Sequence, residues 1–182
     1  MNIYLTTHSG KLLKIHDSET GAIQKWEYDT GSSIYSSPII GSDYTVYFGN
    51  DHGEVHAVNS DGTSKWLYPS KWPFRSTAAL AEGTGMSDRL YIGSDDRALY
   101  CFSLTDGSVL WKYYAMSQIR CPILYQDFKI YFGTVSGKVI SLTDKDANQS
   151  IAKSSARKPI WNTFQGNNRR TGNSQDISTA IQ

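Results

Sequence analysis

This 182-residue chain predicts an all-β fold: a β-propeller array of four-stranded antiparallel blades, with about four blades present. Three observations carry that prediction. A tyrosine inside a short apolar run recurs as Tyr4, Tyr47, Tyr91 and Tyr131, in steps of 43, 44 and 40 residues. Six residues after each tyrosine a second run opens, at Gly10, Gly53, Arg97 and Gly137. An aromatic pair two residues apart, hence on one sheet face, follows in three copies as Trp26/Tyr28, Trp66/Tyr68 and Trp111/Tyr113. A period of roughly 40–45 residues holding several strands is the signature of propeller blades.

The copy from Leu90 to Tyr113 shows the elements most plainly. Leu90-Tyr91-Ile92 is apolar, aromatic and β-branched, as a strand requires. Gly93 to Asp96 supplies turn chemistry, because Gly reaches positive φ and Asp and Ser bond their own backbone. Ala98 to Phe102 is a second strand, Asp106-Gly107 a hairpin signal, and Val109 to Tyr113 a third strand. The other copies run from Ile3, Val46 and Ile130 with the same order. A strand rich in small residues precedes each later copy: Ser36 to Ile40, Ser76 to Leu80 and Cys121 to Tyr125. Pro38 and Pro122 suit an edge, so these are read as innermost strands lining a central channel. The boundaries expected are about 1–33, 34–74, 75–117 and 118–172, followed by a polar, frayed tail at 173–182. Glu82 to Asp88 is a longer loop within the third blade.

Composition bounds the function. A net charge of +1 gives no basic footprint for nucleic acid. No run of 18 apolar residues is present to span a membrane. The N-terminus has neither a basic n-region nor an apolar h-region, so no signal peptide is expected. Cys101 and Cys121 are too few for a disulfide framework or a zinc site and read as small buried hydrophobes. Aromatic content of 13% suits sheet faces packed by rings.

The pattern Gly10-Lys11-Leu12, Asp17, Thr20-Gly21, Trp26 and Tyr28 resembles the PQQ-like β-propeller repeat family. Such blades are found in quinoprotein alcohol dehydrogenases and in the lipoprotein scaffold of the outer-membrane barrel-assembly machine. The resemblance runs from Ile3 to about Gly172, where Trp161, Phe164, Gly166-Asn167 and Arg170-Thr171-Gly172 are similar to a motif at one end of these domains. Tyr4, Trp26, Tyr47, Trp66, Tyr91, Trp111, Tyr131 and Trp161 are read as structural repeat positions. The fourth copy departs: Gln149 to Ser154 offers no tryptophan, so its outer strand is expected to be poorly formed or replaced. The resemblance implies rings of about seven or eight blades, so the array is expected to be a partial ring. A missing N-terminal part, a second chain, or the Trp161 segment pairing beside Ile3 to Leu5 would complete it. The resemblance also implies an extracytoplasmic, periplasmic or cell-surface location.

The active enzymes of this family use a vicinal disulfide, a tryptophan under the quinone and a calcium site of Glu, Asn and Asp. Here no adjacent cysteines exist, and Trp26, Trp66 and Trp111 occupy one repeat position. Pyrroloquinoline quinone and calcium are therefore not expected, and no catalytic, cofactor or metal residues are assigned. His52 and His56 flank a turn and read as ordinary turn and sheet residues. Asp17, Asp61, Asp95, Asp96 and Asp106 read as turn residues. Gly83-Thr84-Gly85 lacks the Lys-Ser/Thr ending of a phosphate loop, and Asn148-Gln149-Ser150 is an unused glycosylation triplet.

Function is sought in the loops entering each innermost strand, which would converge at one mouth of the channel. They carry Tyr35, then Trp72, Phe74 and Arg75, then Arg120, then Arg157. Aromatics with arginine are the residues that dominate protein interfaces. The expected function is a non-enzymatic scaffold or binding module for a protein or peptide. The alternatives are part of a quinone-dependent dehydrogenase, or an accessory or sensor propeller of a larger protein.

Overall fold

The computed structural model describes residues 1–83 and 87–144. Fourteen strands and no helix are found among them. The first sheet joins β1 (Asn2–Thr6), β2 (Lys11–Ser18) and β3 (Gly21–Asp29). The second joins β4 (Ile39–Ile40), β5 (Val46–Gly49), β6 (Glu54–Val58) and β7 (Ser64–Pro69). The third joins β8 (Ala79–Ala81), β9 (Arg89–Gly93), β10 (Ala98–Ser103) and β11 (Val109–Tyr114). The last contains β12 (Leu124–Gln126), β13 (Lys129–Gly133) and β14 (Val139–Thr143). Every pairing is antiparallel between neighbours in sequence, so each blade is a meander. The first blade begins on its second strand. The outer strand expected for the fourth blade, the Trp161 motif and the polar tail lie outside the described residues.

Side-chain alternation lets each sheet pack on both faces. Tyr4, Leu12, Trp26 and Tyr28 of the first blade meet Val46, Phe48 and Val58 of the second. Tyr47, Val55, Ala57 and Trp66 of the second meet Leu90, Ile92 and Phe102 of the third. Tyr91, Leu99, Cys101 and Trp111 of the third meet Ile130, Phe132, Ile140 and Leu142 of the fourth. The repeat tyrosine thus always faces the following blade, and its flanking residues face the preceding one. A register shift falls at the same place in three blades, at Lys14/Ile15, Ala57/Val58 and Cys101/Phe102. Such a bulge increases local twist.

The repeat tryptophans clamp neighbouring blades. Trp26 Nε1 donates to the Ser60 carbonyl at 3.1 Å, and Trp66 Nε1 donates to the Leu104 carbonyl at 3.0 Å. The Trp66 indole lies over Gly107, where an added Cβ would sit 2.6 Å from the ring. The glycine of the Asp-Gly turn is therefore required by the preceding blade as well as by its own hairpin.

The innermost strands are shorter than expected and begin about three residues later. Ser36, Ser76 and Cys121 do not enter the ladder. They latch instead onto the neighbouring strand: Ser36 Oγ to Gly49 O (2.9 Å), Ser76 Oγ to Gly93 O (3.1 Å) and Cys121 Sγ to Gly133 O (3.1 Å), with each glycine N–H donating back. Pro38 and Pro122, which follow closely, have no N–H for a ladder. Cys121 is half-buried and does the work of a serine, which corrects its reading as a buried hydrophobe. Neither cysteine is in a disulfide.

Arg97 takes φ 74°, the left-handed conformation that Gly10, Gly53 and Gly137 supply in the other blades. An L side chain there costs roughly 1–2 kcal/mol, partly offset by the entropy cost of glycine. Arg97→Gly is expected to raise unfolding stability by about 0.5–1 kcal/mol in urea melts.

Candidate functional site at the channel mouth

Two repeat positions build the site on the loops that enter the innermost strands. The first is the turn residue four after each tyrosine: His8, Asp51, Asp95 and Val135. The second is the residue preceding Ser36, Ser76 and Cys121: Tyr35, Arg75 and Arg120. Each loop is tied down by backbone bonds repeated in register. Asp51 N donates to Ser33 O, Asp95 N to Pro73 O and Val135 N to Gln118 O, all at 2.9 Å.

The second-position side chains bridge the turns of adjacent blades. Arg75 Nε and Nη2 form a fork with Asp51 at 2.7 and 3.0 Å, and its Nη1 reaches Asp95 at 3.2 Å. Arg120 Nε and Nη2 form a second fork with Asp95, both at 2.8 Å. Tyr35 lies between His8, at 4.5 Å between rings, and the Arg75 guanidinium, 5.5 Å above its ring. The result is a continuous ladder, His8–Tyr35–Arg75–Asp95–Arg120, with Asp51 alongside. Planar, bidentate geometry makes these pairs specific as well as attractive. Hydrogen bonding to the Asp51 carboxylate raises the Arg75 pKa above its ordinary value, and hydrogen bonding to Asp95 does the same for Arg120.

Among the residues expected to face a partner, Trp72 is 56% and Tyr35 52% exposed. Arg75 and Arg120 are at the surface but already paired with carboxylates. Phe74 is fully buried, so it offers a partner nothing. Its ring packs edge-on to Tyr100 and Phe102, and its Cβ would lie 2.3 Å from a Cβ added to Gly49. The reason is a repeat position not recognised in the sequence: Ile34, Phe74 and Ile119 each precede the latch residue by two, and all are at most 1% exposed. Arg157 lies outside the described residues. Asp95 was legible only as a turn residue, and Asp51 was not singled out. The signal that could have found their second role is opposite charge at two repeat positions, Asp51 and Asp95 against Arg75 and Arg120.

A second polar cluster lies between the first two blades. His56 stacks on Phe48, and its Nδ1 lies 3.2 Å from the Tyr28 hydroxyl. Its Nε2 lies 3.1 Å from Asn50 Nδ2 and 3.3 Å from Glu54. Burial, outweighing the Glu54 carboxylate, lowers its pKa below the ordinary 6.5. The folded chain therefore holds His56 neutral while the unfolded chain takes a proton below about pH 6.5. Stability from this site is present above that pH and is lost as pH falls below it. The urea midpoint is expected to drop between pH 7.5 and 5.5, and less so in His56→Gln. Among the described residues no three His, Cys, Asp or Glu side chains converge as a metal site. Among the same residues no helix is long and apolar enough to cross a membrane.

Face-packed antiparallel meanders of three or four strands, with their loops tied to the neighbouring blade in register, define a PQQ-like β-propeller. The profile of the outer membrane protein assembly factor BamB family matches residues 51–182, and the chain belongs to that family. BamB from Moraxella catarrhalis superimposes with a TM-score of 0.63 at 14% identity, covering 79% of this chain and 43% of that one. BBS1N, solved in complex with ARL6DN, gives 0.66 at 14% identity, covering 82% and 49%. The computationally designed Ika4 protein gives 0.65 at 12% identity, covering 78% and 84%. At these identities the likeness is one of fold. The chain thus spans less than half the length of the natural propellers quoted. No curated protein sequence matches it.

Proposed function

We propose that the chain is a non-enzymatic scaffold that holds a protein or peptide partner on its channel mouth, in an extracytoplasmic compartment. The observation that carries this reading is the pair of exposed rings, Trp72 and Tyr35, set on loops that the Asp–Arg ladder fixes in place. Rigid aromatic anchors next to arginine suit a protein interface, because little side-chain freedom remains to be lost on binding. Blade packing does not require either ring at its position, since Ser32 and Ser117 occupy the place of Trp72 in the neighbouring loops, and Arg75 and Arg120 that of Tyr35. The family's role in outer membrane protein assembly supports that compartment. No cofactor has a place in this reading.

Two measurements test it. Trp72→Ala is expected to weaken partner binding by tenfold or more, about 1.4 kcal/mol, without moving the thermal midpoint. A matching loss of stability would make Trp72 a packing residue and remove the anchor. Titration with pyrroloquinoline quinone and Ca²⁺ is expected to leave the absorbance spectrum unchanged. Saturable quinone binding with dye-linked alcohol oxidation would overturn the scaffold reading in favour of a dehydrogenase.

A further inference from the structure

The third blade departs from the repeat at two neighbouring positions. Arg97 and Met116 both take left-handed backbone, at φ 74° and 64°. In the first blade the same two positions are Gly10 and Gly31, at φ 91° and 68°, and in the second blade the first of them is Gly53. The Ala115 N–H joins the two by donating to the Arg97 carbonyl at 2.8 Å, as Thr30 does to Gly10 and Ser70 to Gly53. At Gly10 and Gly53 an added Cβ would sit 2.7 Å from the backbone of the overlying loop. The third blade thus holds two large side chains where the backbone suits glycine. Neither is buried: Arg97 is exposed, and Met116 is 82% exposed. Packing inside the blade gives no reason for either, and non-glycine residues held in this region cluster at ligand-binding sites.

Their surroundings add rings and unpaired cations. Exposed Trp72 sits on the preceding loop, whose Pro73 carbonyl accepts from Asp95 N at 2.9 Å and from Ser94 Oγ at 3.3 Å, in the turn that ends at Arg97. Tyr114, 64% exposed, lies opposite Ala98, the residue after Arg97. Lys71 is exposed beside Trp72. Neither Arg97 nor Lys71 meets a carboxylate among the described residues. The carboxylates of these turns are already occupied. Asp95 accepts from Arg75 and Arg120, and its side chain is 8% exposed. Asp51 is taken by Arg75. Asp96 accepts from the Tyr100 hydroxyl and from Ala98 N. The face offered to solvent therefore combines Trp72, Tyr114 and Met116 with cations that have no internal acid.

We propose that this patch takes an acidic segment of the protein partner, its carboxylates on Arg97 and Lys71 and its apolar side chains against Trp72, Met116 and Tyr114. The inference rests on the scaffold reading above and names the partner's chemistry. Charge complementarity argues for it: a carboxylate-bearing segment meets cations that have no internal partner, so no existing ion pair is broken on binding. Methionine adapts to irregular apolar surfaces, and rigid rings anchor them. An anionic bilayer fits less well, because attraction to it takes clusters of about four to eight Lys or Arg, whereas this patch offers Arg97 and Lys71. Arg97 and Met116 are then kept for binding against the turn's preference for glycine, as happens where function opposes stability.

Random peptides displayed on phage and selected on the full 182-residue chain test this. The enriched peptides are expected to be acidic, with aromatic or aliphatic residues among the carboxylates, and to bind more weakly as salt rises. For the tightest of them, made synthetically, Arg97→Gly and Met116→Gly are each expected to raise Kd about tenfold or more. Both variants are expected to keep a urea midpoint at or above that of the parent chain, since glycine relieves the backbone. Enriched peptides that are neutral or basic, no enrichment at all, a Kd unchanged in either variant, or a lowered midpoint would each overturn the proposal. So would sedimentation with vesicles of equimolar phosphatidylcholine and phosphatidylglycerol that the two substitutions abolish, since the patch would then be a membrane contact. Trp72→Ala separates this inference from the reading beneath it. If Trp72→Ala alone weakens the peptide, the mouth keeps its anchor and the acidic-segment patch is excluded. If none of the three substitutions weakens it, both fall.

Discussion

Phe74→Ala is expected to cost about 3–5 kcal/mol of unfolding free energy. The ring is fully buried between the second and third blades, in contact with Tyr100 and Phe102. Gly49 lacks a Cβ because Phe74 occupies that space. Removing the ring leaves a cavity across an interface that cannot collapse, since both sheets are held by their own ladders. Equilibrium urea unfolding would show it as a lower midpoint with unchanged slope. Trp72→Ala, two residues away, is expected to leave the midpoint within about 0.5 kcal/mol. The contrast separates the buried half of this loop from the half offered to a partner.

Asp144→Ala is expected to cost a similar amount, about 3–5 kcal/mol, because it strands a buried guanidinium. Asp144 accepts from Arg89 Nη1 at 2.8 and 2.7 Å and from the Tyr91 hydroxyl. Arg89 is 5% and Asp144 3% exposed, and Arg89 Nε already lacks a partner among the described residues. The neighbouring Tyr125 hydroxyl is likewise unpartnered, and burial pushes its pKa up to about 12. The pair joins the third blade to the end of the fourth, so breaking it should loosen the fourth blade first. Tyr91→Phe removes one hydrogen bond and keeps the ion pair; its expected cost is about 1 kcal/mol. Hydrogen exchange would localise both effects to β12, β13 and β14.

Most of the fold was legible in the sequence because it is periodic. Tyr4, Tyr47, Tyr91 and Tyr131 set the register, and the tryptophan pairs marked the outer strands. What stayed hidden had a physical cause in each case. The innermost strands were read too long because Ser36, Ser76 and Cys121 look like strand residues but bond sideways to a glycine. Phe74 looked like a surface anchor because its repeat partners, Ile34 and Ile119, are aliphatic and sit in loops, where periodicity is not sought. Arg75 and Arg120 looked free because the carboxylates that hold them come from turns some 20 residues away in sequence. Asp95 was fully explained as a turn residue, and Asp51 drew no reading of its own, until the structure placed a guanidinium on each. His56 alternates along its strand like any sheet residue, and only packing of two blades buries it against Phe48.

The central claim is that the mouth, with Trp72 at its rim, holds a protein partner. Photo-cross-linking tests it most directly, with benzoyl-phenylalanine placed at position 72 and, as a control, at Leu110 on an outer strand, 41% exposed. In cells of the source organism, position 72 is expected to give a discrete cross-linked protein that position 110 does not. Adding Tyr35→Ala should reduce its yield. Adducts that are absent at 72, or the same from both positions, would contradict the claim.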